Sequence, residues 1–182
     1  MSWPGHPVLQ VPVPPLEPFV RARTAHYDAA YLSAAPCHVH AHVTALGPFL
    51  PDPDEEDLAL VAKVAASVEP FDFVLDRLAT FPDGIIHLAP EPDASFRELT
   101  RRLVEAFPQC PPYGGAFGRV EDVVPHLTVD AASNAPGAAV TQASTRRLLG
   151  DLVPARCRAE RLDLAWYEPH RCRVLASWPL GG

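Results

Sequence analysis

Apolar positions along the chain change period several times, and each change marks an element. PVLQVPV (7–13) alternates and predicts a strand. Apolar or aromatic residues at 16, 19, 20, 27 and 31 have helical spacing, so a helix is expected over Phe19 to Tyr31. CHVHAHVTALGPF (37–49) returns to period 2, with histidines alternating against small apolar residues; a strand over His38 to Thr44 follows. The acidic stretch PDPDEED then opens a helix running from Asp52 to Val68, with Leu58, Val61, Ala65 and Val68 as its stripe. FDFVLDRLATF (71–81) and GIIHLAP (84–90) flank Pro82-Asp83-Gly84 and read as a hairpin. Asp93 offers an N-cap for a helix to Phe107, with Phe96, Leu99, Leu103 and Phe107 on one side. QCPPYGGAFGRVED (109–122) is a Gly/Pro loop, Val123 to Val129 a strand, and Gly137 to Leu149 a helix. AERLDLAWY (159–167) and CRVLASW (172–178) form a closing hairpin around Glu168-Pro169-His170.

The order resembles a duplication. Helix, strand HVHAHVT, helix and hairpin are followed by helix, strand VPHLTV, helix and hairpin. Helices mixed with hairpins favour an α+β fold with largely antiparallel sheets. No linker is long enough to separate independent domains, so residues 1–182 are expected to form a single domain of two lobes.

Each half carries one His-x-Thr on a predicted strand. Alternation puts His42 and Thr44 on one face, and likewise His126 and Thr128. Val39, Val43, Leu127 and Val129 point the other way, toward a core. If a pseudo-two-fold axis relates the halves, the two polar sets meet across one cleft. Two opposed imidazoles suit phosphodiester chemistry: a neutral ring accepts a proton from the attacking hydroxyl while a protonated one supplies the leaving oxygen. The two threonine hydroxyls can donate to non-bridging phosphate oxygens. This chemistry calls for no metal or other cofactor.

HVTALGPF and PHLTV are similar to the two signature motifs of the two-histidine (2H) phosphoesterase superfamily, most of all its bacterial 2'-5' RNA ligase (LigT-like) family. PFDFVLDRLATFPDGIIHLAPEP and PPYGGAF resemble that family too, so the likeness covers nearly the whole chain. It implies a bilobal LigT-like fold: two pseudo-symmetric antiparallel sheets with flanking helices around a central cleft. It also implies metal-independent chemistry at a 2',3'-cyclic phosphate or a 2'-5' phosphodiester of a nucleotide or RNA end. Carried over by motif position, His42 and His126 are the catalytic acid and base, and Thr44 and Thr128 bind the phosphate. The alternative, from another class, is a module that holds a nucleotide or RNA end in the same cleft without turning it over.

Composition narrows the partner. A net charge of −7 opposes tight binding of long nucleic acid, which needs a basic surface, but leaves room for a small nucleotide or an RNA end. The four cysteines lie far apart with no CxxC pair, which reads as reduced thiols rather than a metal or redox motif. MSWPGHPVLQVPVPP lacks a positive n-region, and no apolar run is long enough for a membrane span. A cytoplasmic monomer with no membrane partner is expected.

Other residues compete for roles. His38, His40 and His42 could chelate zinc, but strand neighbours two apart are about 6–7 Å from each other, too far for three ligands on a straight strand. No metal site is therefore expected; His40 is assigned to the substrate-cleft rim and His38 to the start of the strand. Tyr113 and Phe117 of the YGGAF loop are candidates to stack on a base in the cleft, where the glycines permit close backbone approach. His87 is either an ordinary strand residue or a further wall of the cleft. Trp166 and Tyr167 are expected to pack, and Arg101, Arg102, Arg146 and Arg147 to face solvent.

Overall fold

The computed structural model describes residues 5–182; the first four residues of the MSWPGHPVLQVPVPP stretch lie outside the described residues. The strands are β1 (His6–Pro12), β2 (His42–Leu46), β3 (Phe71–Thr80), β4 (Ile85–Glu91), β5 (Leu127–Ala131), β6 (Ala155–Ala159), β7 (Arg161–Tyr167) and β8 (Arg173–Pro179). The α-helices are α1 (Glu17–Asp28), α2 (Glu55–Ala66), α3 (Ala94–Ala106) and α4 (Gln142–Leu149). Two four-stranded antiparallel sheets result, ordered β2-β1-β7-β8 and β5-β4-β3-β6.

The helices form where their local chemistry is explicit. α2 opens on a capping box: the Asp57 N–H donates to Asp54 Oδ1 (2.9 Å) and the Asp54 N–H to Asp57 Oδ2 (3.1 Å). Its expected stripe packs inward, with Val61 and Ala65 fully buried. α3 buries Phe96, Leu99 and Leu103 as its period requires, and its C-cap residue Phe107 is buried beside them. Burying each such side chain stabilises the fold by about 1.5–3 kcal/mol. Asp93 does not cap α3; its carboxylate takes the Arg97 Nε–H instead (2.8 Å). α4 starts five residues later than the apolar pattern suggests, because Thr141 and Ser144 form the capping box there. The β3–β4 hairpin turns at Gly84, whose φ of 92° is open to glycine at no steric cost.

The sheets also differ from the sequence reading. ARCRA (155–159) is a strand, with alternating burial, where none was expected. The duplication is also interleaved rather than sequential. The hairpin β3–β4 follows the first His-x-Thr strand but joins the sheet of the second; β7–β8 returns to the sheet of the first. In strand order β2, β1, β7 and β8 correspond to β5, β4, β3 and β6. Each His-x-Thr strand is therefore a sheet edge, and β2 and β5 lie against each other.

The first motif strand is shorter than expected. It starts at His42, not His38, because its partner runs out: Pro12 pairs with His42, the Val13 N–H reaches the Ala41 carbonyl (2.8 Å), and a 3₁₀ turn begins at Pro14. Pro14 and Pro15 have no N–H to extend the ladder. The second begins at Leu127 and leaves His126 just ahead of it.

Candidate active site

His42, Thr44, His126 and Thr128 line one cleft of about 370 Å³. Val43, Leu127 and Val129 lie behind them in the core. Period-2 alternation on two adjoining edge strands thus turns two distant sequence motifs into one polar surface.

The two imidazoles are held the same way. His42 Nδ1 lies 2.7 Å from the His40 carbonyl oxygen, and His126 Nδ1 lies 2.8 Å from that of Val124. A carbonyl only accepts, so each Nδ1 carries the proton. In both rings Nε2 is left as the nitrogen available to the cleft, in the basic form. Burial pushes the His42 imidazolium down to about 4, with His126 and His40 adding to the effect against the His40 carbonyl and Glu17, which oppose it. Burial also lowers His126, against the Val124 carbonyl and Asp83. The Tyr167 hydroxyl donates to Gln10 Oε1 (2.6 Å) and lies 3.3 Å from His42 Nδ1. Tyr167 therefore packs as expected and also flanks a site residue.

The family model of the 2'-5' RNA ligase superfamily matches residues 12–171. The chain belongs to that superfamily. No curated protein sequence matches it. Among solved structures it resembles Escherichia coli LigT complexed with 3'-AMP, at 16% identity and TM-score 0.55, covering 99% of this chain and all of that one. It also resembles TT0787 of Thermus thermophilus, at 20% identity and TM-score 0.58, covering 97% of this chain and 98% of that one. A phosphoesterase structure matches at 16% identity and TM-score 0.52, covering 99% of this chain and all of that one. At these identities the structures establish the LigT-like α+β fold; membership supports a phosphoesterase or RNA-ligase type of function.

In this superfamily member the remaining histidines do not share one role. His40 is off the strand and buried. Its Nδ1–H donates to Glu17 Oε1 (2.6 Å) and its Nε2 accepts the Ser33 N–H (3.1 Å). It borders the cleft, as expected of a rim residue, with both ring nitrogens engaged by protein partners. His38 is buried with neither nitrogen hydrogen-bonded, edge-on to His40 and Tyr167. Burial pushes it down to about 4. His87 is buried behind His126 at a centroid distance of 5.3 Å and stacks on Phe81 at 3.8 Å, so it supports the cleft rather than walling it. Among the described residues no three His, Cys, Asp or Glu side chains converge to hold a metal ion.

Sequence reasoning missed the α1 wall. The Arg23 guanidinium pairs with the buried Asp130 carboxylate at 3.0 Å, and the Tyr27 hydroxyl donates to the same carboxylate. Arg23 and Tyr27 sit four apart on one helical face, and Asp130 lies two residues beyond Thr128. That spacing is the only sequence signal, and it means nothing until α1 is laid against β5.

A second cavity of about 700 Å³ adjoins the first and shares Tyr31, His42, Thr44 and Tyr167 with it. Tyr31, Tyr167, His6 and Tyr113 give it aromatic walls. Tyr113 has the left-handed φ of 52°, uncommon for a non-glycine residue. Its N–H donates to the Gly47 carbonyl (2.6 Å), so the YGGAF loop, carried after α3, is tied to the strand exit of the other sheet. Phe117 is exposed and stands edge-on to Tyr113 at 5.1 Å, outside both cavity linings. Among the described residues no helix is long and apolar enough to cross a membrane.

Proposed function

We propose that this protein is a metal-independent phosphoesterase acting on a 2',3'-cyclic phosphate or a 2'-5' phosphodiester of a small nucleotide or RNA end. The observation that carries the reading is the shared cleft with two His-x-Thr sets, each ring fixed by Nδ1–H to a main-chain carbonyl. One Nε2 takes the proton of an attacking water as its oxygen bonds to phosphorus. The other ring binds a proton from solvent, a form the bound anion favours, and gives it to the 2' or 3' oxygen as that P–O bond breaks. Thr44 and Thr128 donate to the non-bridging oxygens as charge builds on them. The reaction leaves a phosphomonoester and a free hydroxyl.

Two cavities meeting at His42 and Thr44 suit a phosphorus with one organic arm in each. The aromatic one, walled by Tyr31, Tyr113 and Tyr167, suits a nucleobase. Solved complexes of the similar E. coli LigT with 3'-AMP, ATP and NADP+ point to a small-nucleotide ligand here as well. The test is product release from 2',3'-cyclic nucleotides and 2'-5'-linked dinucleotides in excess EDTA. Turnover that falls at least about 100-fold in His126→Ala, with the fold intact, is expected. Full activity in that variant overturns the proposal, and tight binding without turnover across the panel assigns the cleft to a binding module.

A further inference from the structure

The two catalytic candidates are held by similar hydrogen bonds but not by similar supports. The Val124 carbonyl that orients His126 belongs to a loop residue exposed to solvent. The His40 carbonyl that orients His42 belongs to a segment with no strand partner, since β1 pairs no further than His42 and the Val13–Ala41 bond closes the ladder. Val13 holds only the Ala41 carbonyl; the His40 ring and the Ala41 N–H need a further partner. That role falls to Glu17, the first residue of α1. One carboxylate oxygen accepts the His40 Nδ1–H (2.6 Å) and the other the Ala41 N–H (2.8 Å). The Ser33 N–H on His40 Nε2 fixes the far side of the ring. Burial by itself would raise the Glu17 carboxyl, but the hydrogen bonds from His40 and Ala41 outweigh it and hold the group below its usual range, as a carboxylate.

Resting on the proposed acid–base pair, we infer that Glu17 is a positioning residue for His42: it clamps residues 40 and 41 so that the His40 carbonyl holds His42 in the Nδ1–H tautomer, Nε2 open to the cleft. Glu17 touches neither His42 nor the reacting atoms. Its two oxygens serve two donors, and this is why a carboxylate stands there. In Glu17→Gln the new amide offers an oxygen to one donor and turns an N–H toward the other, leaving a mismatched pair in a partly buried site. By contrast His40→Asn places an amide N–H close to where the imidazole Nδ1–H sat, so it keeps both donors to Glu17 while giving up the Ser33 bond, and His40→Ala keeps only the Ala41 half.

The test reads the ring directly. Long-range ¹H–¹⁵N spectra of histidine-labelled protein distinguish a protonated Nδ1 from a protonated Nε2 without any substrate. Wild type is expected to show His42 as one Nδ1–H tautomer. Glu17→Gln is expected to show a mixture and to lose about tenfold or more in kcat with little change in KM. His40→Asn is expected to keep His42 mainly as the Nδ1–H tautomer, and His40→Ala to fall between it and Glu17→Gln. An unchanged His42 tautomer and kcat in folded Glu17→Gln overturns the inference. If Glu17→Gln does not fold, equal His42 spectra in His40→Asn and His40→Ala overturn it. The tautomer does not depend on turnover. A His42 locked in wild type and mixed in Glu17→Gln, in protein with no phosphoesterase activity, upholds the clamp and rejects the function.

Discussion

Acidity is the sharpest probe of the proposed pair, because the fold sets it on one side of neutrality. The mechanism needs one ring protonated and the other neutral. In the free protein burial holds His42 at about 4 and keeps His126 below 6.5. Interacting rings titrate as a unit, so the two macroscopic steps belong to the pair. The singly protonated pair then dominates between about 4 and a value below 6.5, and kcat/KM should peak there. Above that window the pair loses its proton and kcat/KM falls tenfold per pH unit. Between pH 6.5 and 8.5 the loss is about 50- to 100-fold. The bound anion raises the rings, so the descending limb of kcat lies at higher pH than that of kcat/KM. Asp83 favours the protonated form of His126, and Asp83→Asn should shift the descending limb of kcat/KM to lower pH. The assay is initial rate on one substrate from pH 4.5 to 8.5 at constant ionic strength, with stability checked at each pH. A kcat/KM that is flat or rising from pH 6.5 to 8.5 would refute the reasoning.

Three further outcomes follow from side chains outside the pair. His38 is 4% exposed, and its folded value of about 4 lies below the unfolded 6.5; its stabilising contribution is present above 6.5 and is lost as pH falls toward 4, by up to about 3 kcal/mol. His38→Phe should flatten the pH dependence of urea-unfolding free energy between pH 7 and 4.5, and an unchanged slope would show that His38 does not stay neutral. Leu99→Ala, at a fully buried site of α3, should cost about 2–5 kcal/mol by the same measurement while KM is unaffected. Tyr113→Ala should raise KM for a nucleotide by the 1–3 kcal/mol that base stacking is worth, roughly 5- to 150-fold; equal KM values would place the base elsewhere.

Legibility followed the range of the interaction that decides each element. α2, α3 and the β3–β4 hairpin are written in neighbouring residues, as acidic caps, apolar stripes and Pro-Asp-Gly. β6 is not. ARCRA follows Val153-Pro154 and places arginines at its outward positions, and its partner β3 lies far back in the chain. The alternation of CHVHAHVT looked like one strand because period 2 is blind to where the partner ends. His38 and His40 keep the pattern, but the prolines after β1 end the ladder, and a carboxylate from α1 takes over. The His-x-Thr pairs were legible because face and spacing are local. Arg23, Tyr27, Asp130 and Glu17 act through contacts made only after α1 is docked.

The interleaving explains why the motifs converge at all. Had each half folded its own hairpin onto its own strand, β2 and β5 would belong to two sheets with no chain exchanged between them. The exchanged hairpins instead make the sheets mutually dependent: β3 bridges β4 to β6, and β7 bridges β1 to β8. The equivalence reaches the side chains behind the site. Gln10 pairs across from Thr44 and His87 from Thr128, so each threonine has a buried polar neighbour at the same place in its sheet. The two are chemically unlike. Gln10 takes the Tyr167 hydroxyl, whereas His87 stacks on Phe81 and packs edge-on to His126. Under the proposed mechanism, unlike second neighbours in a symmetric frame give the two imidazoles different surroundings for their opposite roles at one phosphate.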